Sequence, residues 1–179
     1  SRESLTLTAE EAKILENIYK RFERSGANLS DADKEKLRQL NQEISALQLQ
    51  FSQNLLYETN NTYVVVDKLS DLDGLPQSDI ERASAMAAAQ GQPDKWMFNM
   101  PRASCNPVLQ YCTNRDLRRR VYEAYCNRGY QGNQYDSREI CAKLVKLRLE
   151  RANLMGFKNA AEQILDTRMA KTPQAVYNL

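Results

Sequence analysis

The stretch from Ser30 to Glu58 constrains the fold most, because it is the longest uninterrupted regular pattern in the chain. Its apolar residues recur every three or four positions with polar residues between them, as in an amphipathic helix. These apolar residues are Leu37, Leu40, Ile44, Leu47, Phe51 and Leu55. Ser30 suits the N-cap position, and a helix from Asp31 to Glu58 would be roughly 42 Å long. A rod of that length needs other segments packed along it.

A second amphipathic segment precedes the long one, from Leu5 to Ser25, and ends at Gly26. Thr8 and Glu11 have the spacing of a capping box. The apolar residues of one face are Leu15, Ile18 and Phe22. Because the link to the next helix is short, the two segments are expected to form an antiparallel αα-hairpin in which this face packs on the long helix.

Short β-branched or aromatic runs and further capped segments fill the rest of the chain. Thr62–Val66 and Trp96–Met100 favour two short strands that pair with each other. Helices are predicted to start at Ser78, after Asn106, after Asn114, near Asp136, at Asn159 and at Thr172. The sequence therefore predicts a mainly α fold: a multi-helix domain that opens with an αα-hairpin and carries a small two-stranded β element, with residues 1–179 forming one helical domain.

The helix predicted to end at Gly156 has apolar residues on two sides. One row is Ile140, Leu144, Leu147 and Leu154, and the other is Cys141, Val145, Leu149 and Ala152. A helix that exposes only a narrow face to solvent is packed on both of its other sides by protein segments. Little sequence follows that could build the second layer, so we expect the chain to be a piece of a larger protein.

Catalytic and metal-binding patterns are scarce. The chain has no histidine, which excludes a histidine triad and a His-Glu-x-x-His zinc helix. The carboxylate pairs Glu10/Glu11 and Asp31/Asp33 fall in first helical turns, where capping explains them. From its residues alone we assign the chain no catalytic, metal-binding or substrate-binding residue.

The four cysteines are too far apart for a zinc site, which favours pairs two to four residues apart. They are Cys105, Cys112, Cys126 and Cys141. Buried free thiols are the expected state. A Cys105–Cys112 disulfide remains an alternative if the protein is exported.

Positive charge is concentrated between Arg102 and Arg151, which holds 11 Lys and Arg against 5 Asp and Glu. Its densest part, Arg115–Arg120, favours the solvated face of a helix over a nucleic-acid patch. No nucleic-acid partner is therefore expected. No apolar run is long enough to span a membrane, so no membrane partner is expected either.

Six short motifs, in order, resemble the amino-terminal helical region of the thimet oligopeptidase and peptidyl-dipeptidase family. Each has a structural reason to exist, but the ordered series is specific and extends from about Leu5 to Leu179. The motifs are Gly26–Asp33, Leu40–Leu47 with Phe51 and Asn54–Leu56, Leu72–Pro76, Asn114–Arg118 with Tyr122, Ala124, Tyr125, Arg128 and Gly129, Leu147-Arg148 with Ala152–Phe157, and Met169-Ala170. The bacterial peptidyl-dipeptidase branch is favoured over oligopeptidase A.

The resemblance implies a parent enzyme that is a zinc metallopeptidase acting on short peptides. Its zinc ligands would lie carboxy-terminal to the matched region, so this chain would bind no zinc, be inactive alone, and form part of the substrate channel wall. The expected partners are short peptides and the missing catalytic domain, with self-association through an exposed apolar helix face. A cytoplasmic parent is expected, with a periplasmic or exported one as the alternative. The competing interpretation is a free-standing helical protein-interaction module.

Overall fold

A computed structural model describes residues 6–179, which form eight α-helices, one 3₁₀ helix and two β-strands. Leu5, where the first predicted segment begins, lies outside the described residues. The helices are α1 (Ala9–Arg24), α2 (Asp31–Asn61), α3 (Gln77–Ala89), α4 (Arg102–Tyr111), α5 (Arg115–Cys126), α6 (Arg138–Leu154), α7 (Ala160–Leu165) and α8 (Pro173–Tyr177). The 3₁₀ helix is Leu69–Leu72, and the strands are β1 (Tyr63–Val66) and β2 (Trp96–Asn99). The predicted mainly α fold with a two-stranded element is confirmed.

Most predicted helix starts are confirmed by their caps. Thr8 and Glu11 form a reciprocal capping box at α1. The side chains of Asn114, Asn159 and Thr172 each accept a hydrogen bond from the first turn of α5, α7 and α8, respectively. Satisfying these otherwise free N–H groups fixes where each helix begins.

Helices α3 and α4 begin earlier than their sequences predict. The predicted cap of α3 at Ser78 is two residues late, since Pro76 occupies the N-cap position without a side-chain hydrogen bond and the helix begins at Gln77. The predicted N-cap at Asn106 is also wrong: α4 begins at Arg102 and carries Pro107 inside it. Burial of side chains in the added turn, among them Cys105, outweighs the hydrogen bond that proline cannot make.

The described residues divide into two compact units. Unit 2 is Gln48–Cys141, and unit 1 comprises the described residues on either side of it. In unit 2 the strands pair antiparallel, with Val64 opposite Phe98. These strands and helices α3, α4 and α5 enclose the hydrophobic core. The buried core residues are Val64, Val66, Leu72, Leu75, Ala83, Phe98, Met100, Cys105, Val108, Cys112, Leu117 and Val121.

Unit 1 buries much less. On α2 it buries Leu37, Leu40 and Ile44, and the link from α1 turns at Gly26, whose φ is 92°. A Cβ at Gly26 would lie 2.6 Å from Leu37 Cδ2, so this position needs glycine for both reasons. The predicted packing of the α1 face is wrong: α1 has no buried residue, and Ile18 and Phe22 are 42% and 57% exposed.

The two apolar rows of α6 differ in burial. Ile140, Leu144 and Leu147 of the first row are buried, as predicted. In the second row Ala152 is buried, but Val145 and Leu149 are 68% and 43% exposed. The second row therefore has no cover over most of its length within the described residues.

Candidate functional site in the loop between α5 and α6

One row of side chains along α2, spaced three or four residues apart, is apolar up to Phe51 and polar beyond it, within unit 2. Spacings of three and four lead from Phe51 to Asn54 and then to Glu58. Both polar side chains are buried, Asn54 with 8% and Glu58 with 3% of its surface exposed. Since a buried carboxylate is costly unless its oxygens accept hydrogen bonds, the partners of Glu58 decide how this region is built.

Those partners come from the α5–α6 loop, residues 127–137. The backbone N–H of Gly129 and the side-chain Nδ2 of Asn133 both donate to Glu58, the latter at 2.7 Å. Asn54 Nδ2 donates to Ser137 Oγ at 3.4 Å, and the loop closes on itself where Ser137 N–H donates to the Gly129 carbonyl at 2.8 Å. The loop is therefore fastened to the last turns of α2.

Arg128 lies at the base of this loop, half-buried. Its Nε donates to the Tyr125 carbonyl at 2.7 Å and its Nη1 to Thr59 Oγ1 at 2.8 Å, while its guanidinium carbon lies 3.7 Å from the centre of the Tyr125 ring. Both hydrogen-bonded partners are neutral. Side-chain hydrogen bonds from Arg102 and then Arg128, together with the positive charge of Arg128, lower the pKa of Tyr125 because they favour its phenolate.

Arg138 differs from Arg128 because it forms an ion pair with the carboxylate of Asp136. Its Nη2 donates to Asp136 Oδ2 at 2.6 Å, and its guanidinium carbon lies 4.4 Å from the centre of the Tyr130 ring. Hydrogen bonds from Arg138 hold the pKa of Asp136 well below its usual range. Arg138 is thus paired with a carboxylate and oriented by it, whereas Arg128 forms no ion pair among residues 6–179.

A cavity of about 310 Å³ lies between the loop and the helices of unit 2. Phe51 and Leu55 provide apolar walls. The remaining lining residues are Arg128, Gly129, Ser137, Arg138 and Cys141. Guanidinium and hydroxyl groups beside an apolar wall suit the binding of an organic anion. We call this region the α5–α6 loop site.

The basic run Arg115–Arg120 is partly used inside the fold. Arg118 Nη1 donates to the Thr113 carbonyl at 2.9 Å, and Arg120 Nη2 to the Val65 carbonyl at 2.7 Å. Because these side chains satisfy backbone oxygens, their positions are explained by structure.

The cysteines split into two kinds, and all four are free. Burial of Cys105 and Cys112 is confirmed, and it raises the pKa of both thiols. The expected burial of Cys126 and Cys141 is wrong, since both are exposed. Both lie next to the α5–α6 loop, outside the hydrophobic core.

The four tyrosines around the loop are also of two kinds. Tyr125 and Tyr135 are half-buried packing residues, and Tyr135 stacks on Tyr57 with ring centres 3.8 Å apart. Tyr122 and Tyr130 are each 59% exposed.

Two of the motifs that carry the family resemblance, Leu72–Pro76 and Asn114–Arg118, are linked in unit 2 by hydrogen bonds that each join one motif to the residue flanking the other. The backbone N–H of Thr113 donates to the Asp73 carbonyl at 2.8 Å, and Asn114 Nδ2 donates to Asp71 Oδ1 at 3.2 Å. Gly74 has φ 86°, and a Cβ there would collide with the backbone oxygen of Tyr111. These residues form a bracket between the 3₁₀ helix and the start of α5, so their role is structural.

Sequence reasoning missed the role of Glu58, although the signal was present. Asn54 and Glu58 continue the three-four spacing of the apolar stripe, so a strict reading of that period would have turned both polar side chains inward. The apolar pattern by itself predicts Glu58 only as the end of the helix. Helix α2 in fact continues to Asn61.

The described residues do not fit the zinc site that the resemblance implies for the parent enzyme. The chain has no histidine. Across residues 6–179, no group of three or more His, Cys, Asp and Glu side chains is placed to hold a metal ion. None of the helices α1 to α8 combines the length and apolarity needed to cross a membrane.

Comparison with known proteins gives consistent matches. The model of peptidase family M3 matches residues 108–179. Dipeptidyl carboxypeptidase of Escherichia coli is 34% identical over 99% of this chain and 26% of its own length. Oligopeptidase A of Haemophilus influenzae is 33% identical over 92% of this chain and 24% of its own length. A probable cytosolic oligopeptidase A of Arabidopsis thaliana is 31% identical over 95% of this chain and 25% of its own length. The chain spans about a quarter of each of these relatives.

Proposed function

Because the chain belongs to peptidase family M3, we propose that it is a non-catalytic helical segment of a zinc-dependent peptidase that hydrolyses short peptides. In this proposal the segment forms part of the wall of the channel through which peptides reach the zinc. The catalytic residues and the zinc ligands belong to the rest of the parent protein.

The main support is the extent of the similarity: the match to dipeptidyl carboxypeptidase covers 99% of this chain but only 26% of that relative. The bracket between Asp71 and Asn114 adds a second argument. Motif residues that hold backbone segments together are what a supporting wall requires. Catalytic motifs would place reactive groups in a cavity instead.

The exposed half of the second α6 row supports a partner for this segment. Val145 and Leu149 are both exposed, and apolar side chains on one helix face favour contact with another protein surface. We propose the remainder of the parent peptidase as that surface. Self-association of the chain through the same row is the alternative when that remainder is missing.

We place the parent enzyme in the cytoplasm. All four cysteines are free, and Cys126 and Cys141 are exposed. Exposed thiols persist more readily in a reducing compartment than in an exported protein.

The reading frame beyond Leu179 tests the peptidase proposal. A downstream His-Glu-x-x-His motif is expected. The product of the whole frame should cleave a short quenched-fluorescent peptide, while the 179-residue chain should not. A stop codon directly after Leu179, together with a stable monomeric chain, would favour the interaction module instead.

The wall role needs its own test. A short peptide carrying a photoreactive group, bound to the whole protein, should cross-link to residues within this segment and be displaced by unlabelled peptide. Cross-links that fall only outside the segment would contradict the wall role while leaving the family assignment intact.

A further inference from the structure

The α5–α6 loop site contains a cation that the fold does not neutralise. Arg128 donates to the Tyr125 carbonyl and the Thr59 hydroxyl and lies against the Tyr125 ring. It forms no ion pair within the part of the chain that the structure describes. A half-buried guanidinium with neutral partners retains its affinity for a carboxylate.

The buried carboxylate nearby is already satisfied. Glu58 accepts from the Gly129 N–H and from Asn133, and Asp136 is held by Arg138. Each acidic group of the loop therefore has its own donors. The positive charge of Arg128, which has no carboxylate partner among residues 6–179, is left to a ligand.

The cavity beside Arg128 sets the size and polarity of that ligand. Its volume of about 310 Å³ is at the lower end of ligand pockets, which run from roughly 300 to 1,000 Å³. Phe51 and Leu55 form its apolar walls, and the hydroxyl of the buried Ser137 lines it as well. Arg138 and Cys141, also in the lining, are exposed, so the cavity opens to solvent on their side.

We propose that the α5–α6 loop site binds a carboxylate carried by one compact apolar group, with the carboxylate on Arg128 and the apolar group against Phe51 and Leu55. An N-acylated apolar amino acid has this chemistry, whether it is free or the last residue of a peptide. This inference does not depend on the proposed peptidase function, since binding requires no cleavage and is measured on the chain alone.

The test compares two probes of nearly equal size, N-acetylphenylalanine and N-acetylphenylalaninamide, which differ in the carboxylate. Titration is followed by the backbone amide signals of Gly129 and Ser137. The acid should bind about tenfold more tightly than the amide, because one charge-assisted hydrogen bond is lost with the amide. Equal affinities, or shifts that leave Gly129 and Ser137 unchanged, overturn the proposal without any substitution in the protein.

Substitutions then locate the charge. Arg128→Gln should remove the preference for the acid, whereas Arg119→Gln, an equal loss of charge at an exposed position of α5, should preserve it. Far-UV circular dichroism checks that both variants remain folded. A loss of the preference in Arg119→Gln equal to that in Arg128→Gln would show that only overall charge matters and would overturn the site.

A final pair of ligands identifies the source of the carboxylate. Gly-Gly-Phe, with a free carboxy terminus, represents a peptide, and 3-phenylpropanoate represents a small free acid. Binding of Gly-Gly-Phe supports the site with a peptide end as its ligand, and binding of 3-phenylpropanoate alone supports it with a small acid. Binding of neither overturns it.

Discussion

Unit 2 and α1 show two different ways in which the same chain stabilises its helices. In unit 2, α4 and α5 bury side chains such as Val108 and Val121 completely, and the Asp71–Asn114 bracket ties distant backbone segments together. Helix α1 buries no residue. It relies on its capping box and on ion pairs within the helix, such as those of Glu16. Tertiary packing dominates in one case and local interactions in the other.

The largest expected effect separates the two regions directly. Phe98→Ala removes a 2% exposed core side chain and should lower the free energy of unfolding by about 3–5 kcal/mol. Phe22→Ala, on the exposed face of α1, should change it by less than about 0.5 kcal/mol. Urea unfolding followed by far-UV circular dichroism reports on the helices of both units, and the fluorescence of Trp96, the single tryptophan, reports on unit 2. Equal losses from the two substitutions would contradict the contrast.

The second effect tests the bracket through its glycine. Gly74→Ala adds a Cβ that collides with the Tyr111 carbonyl oxygen at a position with φ 86°, and it should cost about 3 kcal/mol. Gly132→Ala is the matched control, because its φ is 68° but nothing lies within 4 Å of the added atom. That change should cost only the backbone strain, about 1 kcal/mol. If the two variants melt alike, the close approach at Gly74 is not what makes glycine necessary.

The sequence predicted what depends on neighbours along the chain. The caps at Thr8, Asn114 and Asn159 are local interactions, so their residue types suffice to locate them. The start of α4 at Arg102 was not predictable in this way. It depends on the burial of Cys105 among segments that are distant in sequence.

The α1 face and the α5–α6 loop site show the same limit. An amphipathic pattern identifies the apolar face of a helix but not whether anything covers it, so Phe22 was predicted to pack and is exposed. The cavity beside Arg128 could not be predicted, because its lining joins α2 to a loop more than 70 positions later, with Gly129 and Glu58 71 positions apart.

A third, smaller effect concerns the fastening of that loop. Glu58→Gln keeps the shape but replaces one accepting oxygen by a donor, which leaves a part-buried N–H of Gly129 or Asn133 without its partner. The free energy of unfolding should fall by about 2 kcal/mol. Glu43→Gln, at an exposed position of the same helix, should have little effect. Hydrogen exchange at the Gly129 amide should accelerate only in Glu58→Gln. An unchanged exchange rate would show that the loop is held by other contacts.

The smallest effect belongs to α1 and depends on pH. Hydrogen bonds from Lys13 and then Lys20 lower the pKa of Glu16 from 4.5 to about 2, with Nζ to carboxylate distances of 2.9 and 3.0 Å. The pKa of Glu16 is lower in the folded state than in the unfolded state. The stability that these pairs contribute is therefore fully present above the unfolded-state pKa and is lost as the pH falls through the folded-state pKa. The group is exposed, so salt should weaken the shift.

Nuclear magnetic resonance titration of the Glu16 carboxyl carbon measures this directly. The titration midpoint should rise toward the usual glutamate value in 1 M salt, where the screening length is about 3 Å, and also in Lys13→Gln. Trp96 fluorescence, which reports on unit 2, should show no matching change over the same pH range. If neither salt nor Lys13→Gln changed the titration midpoint, the ion pairs of α1 would not account for the pKa shift of Glu16. Local interactions would then no longer explain how a helix without buried side chains stays folded.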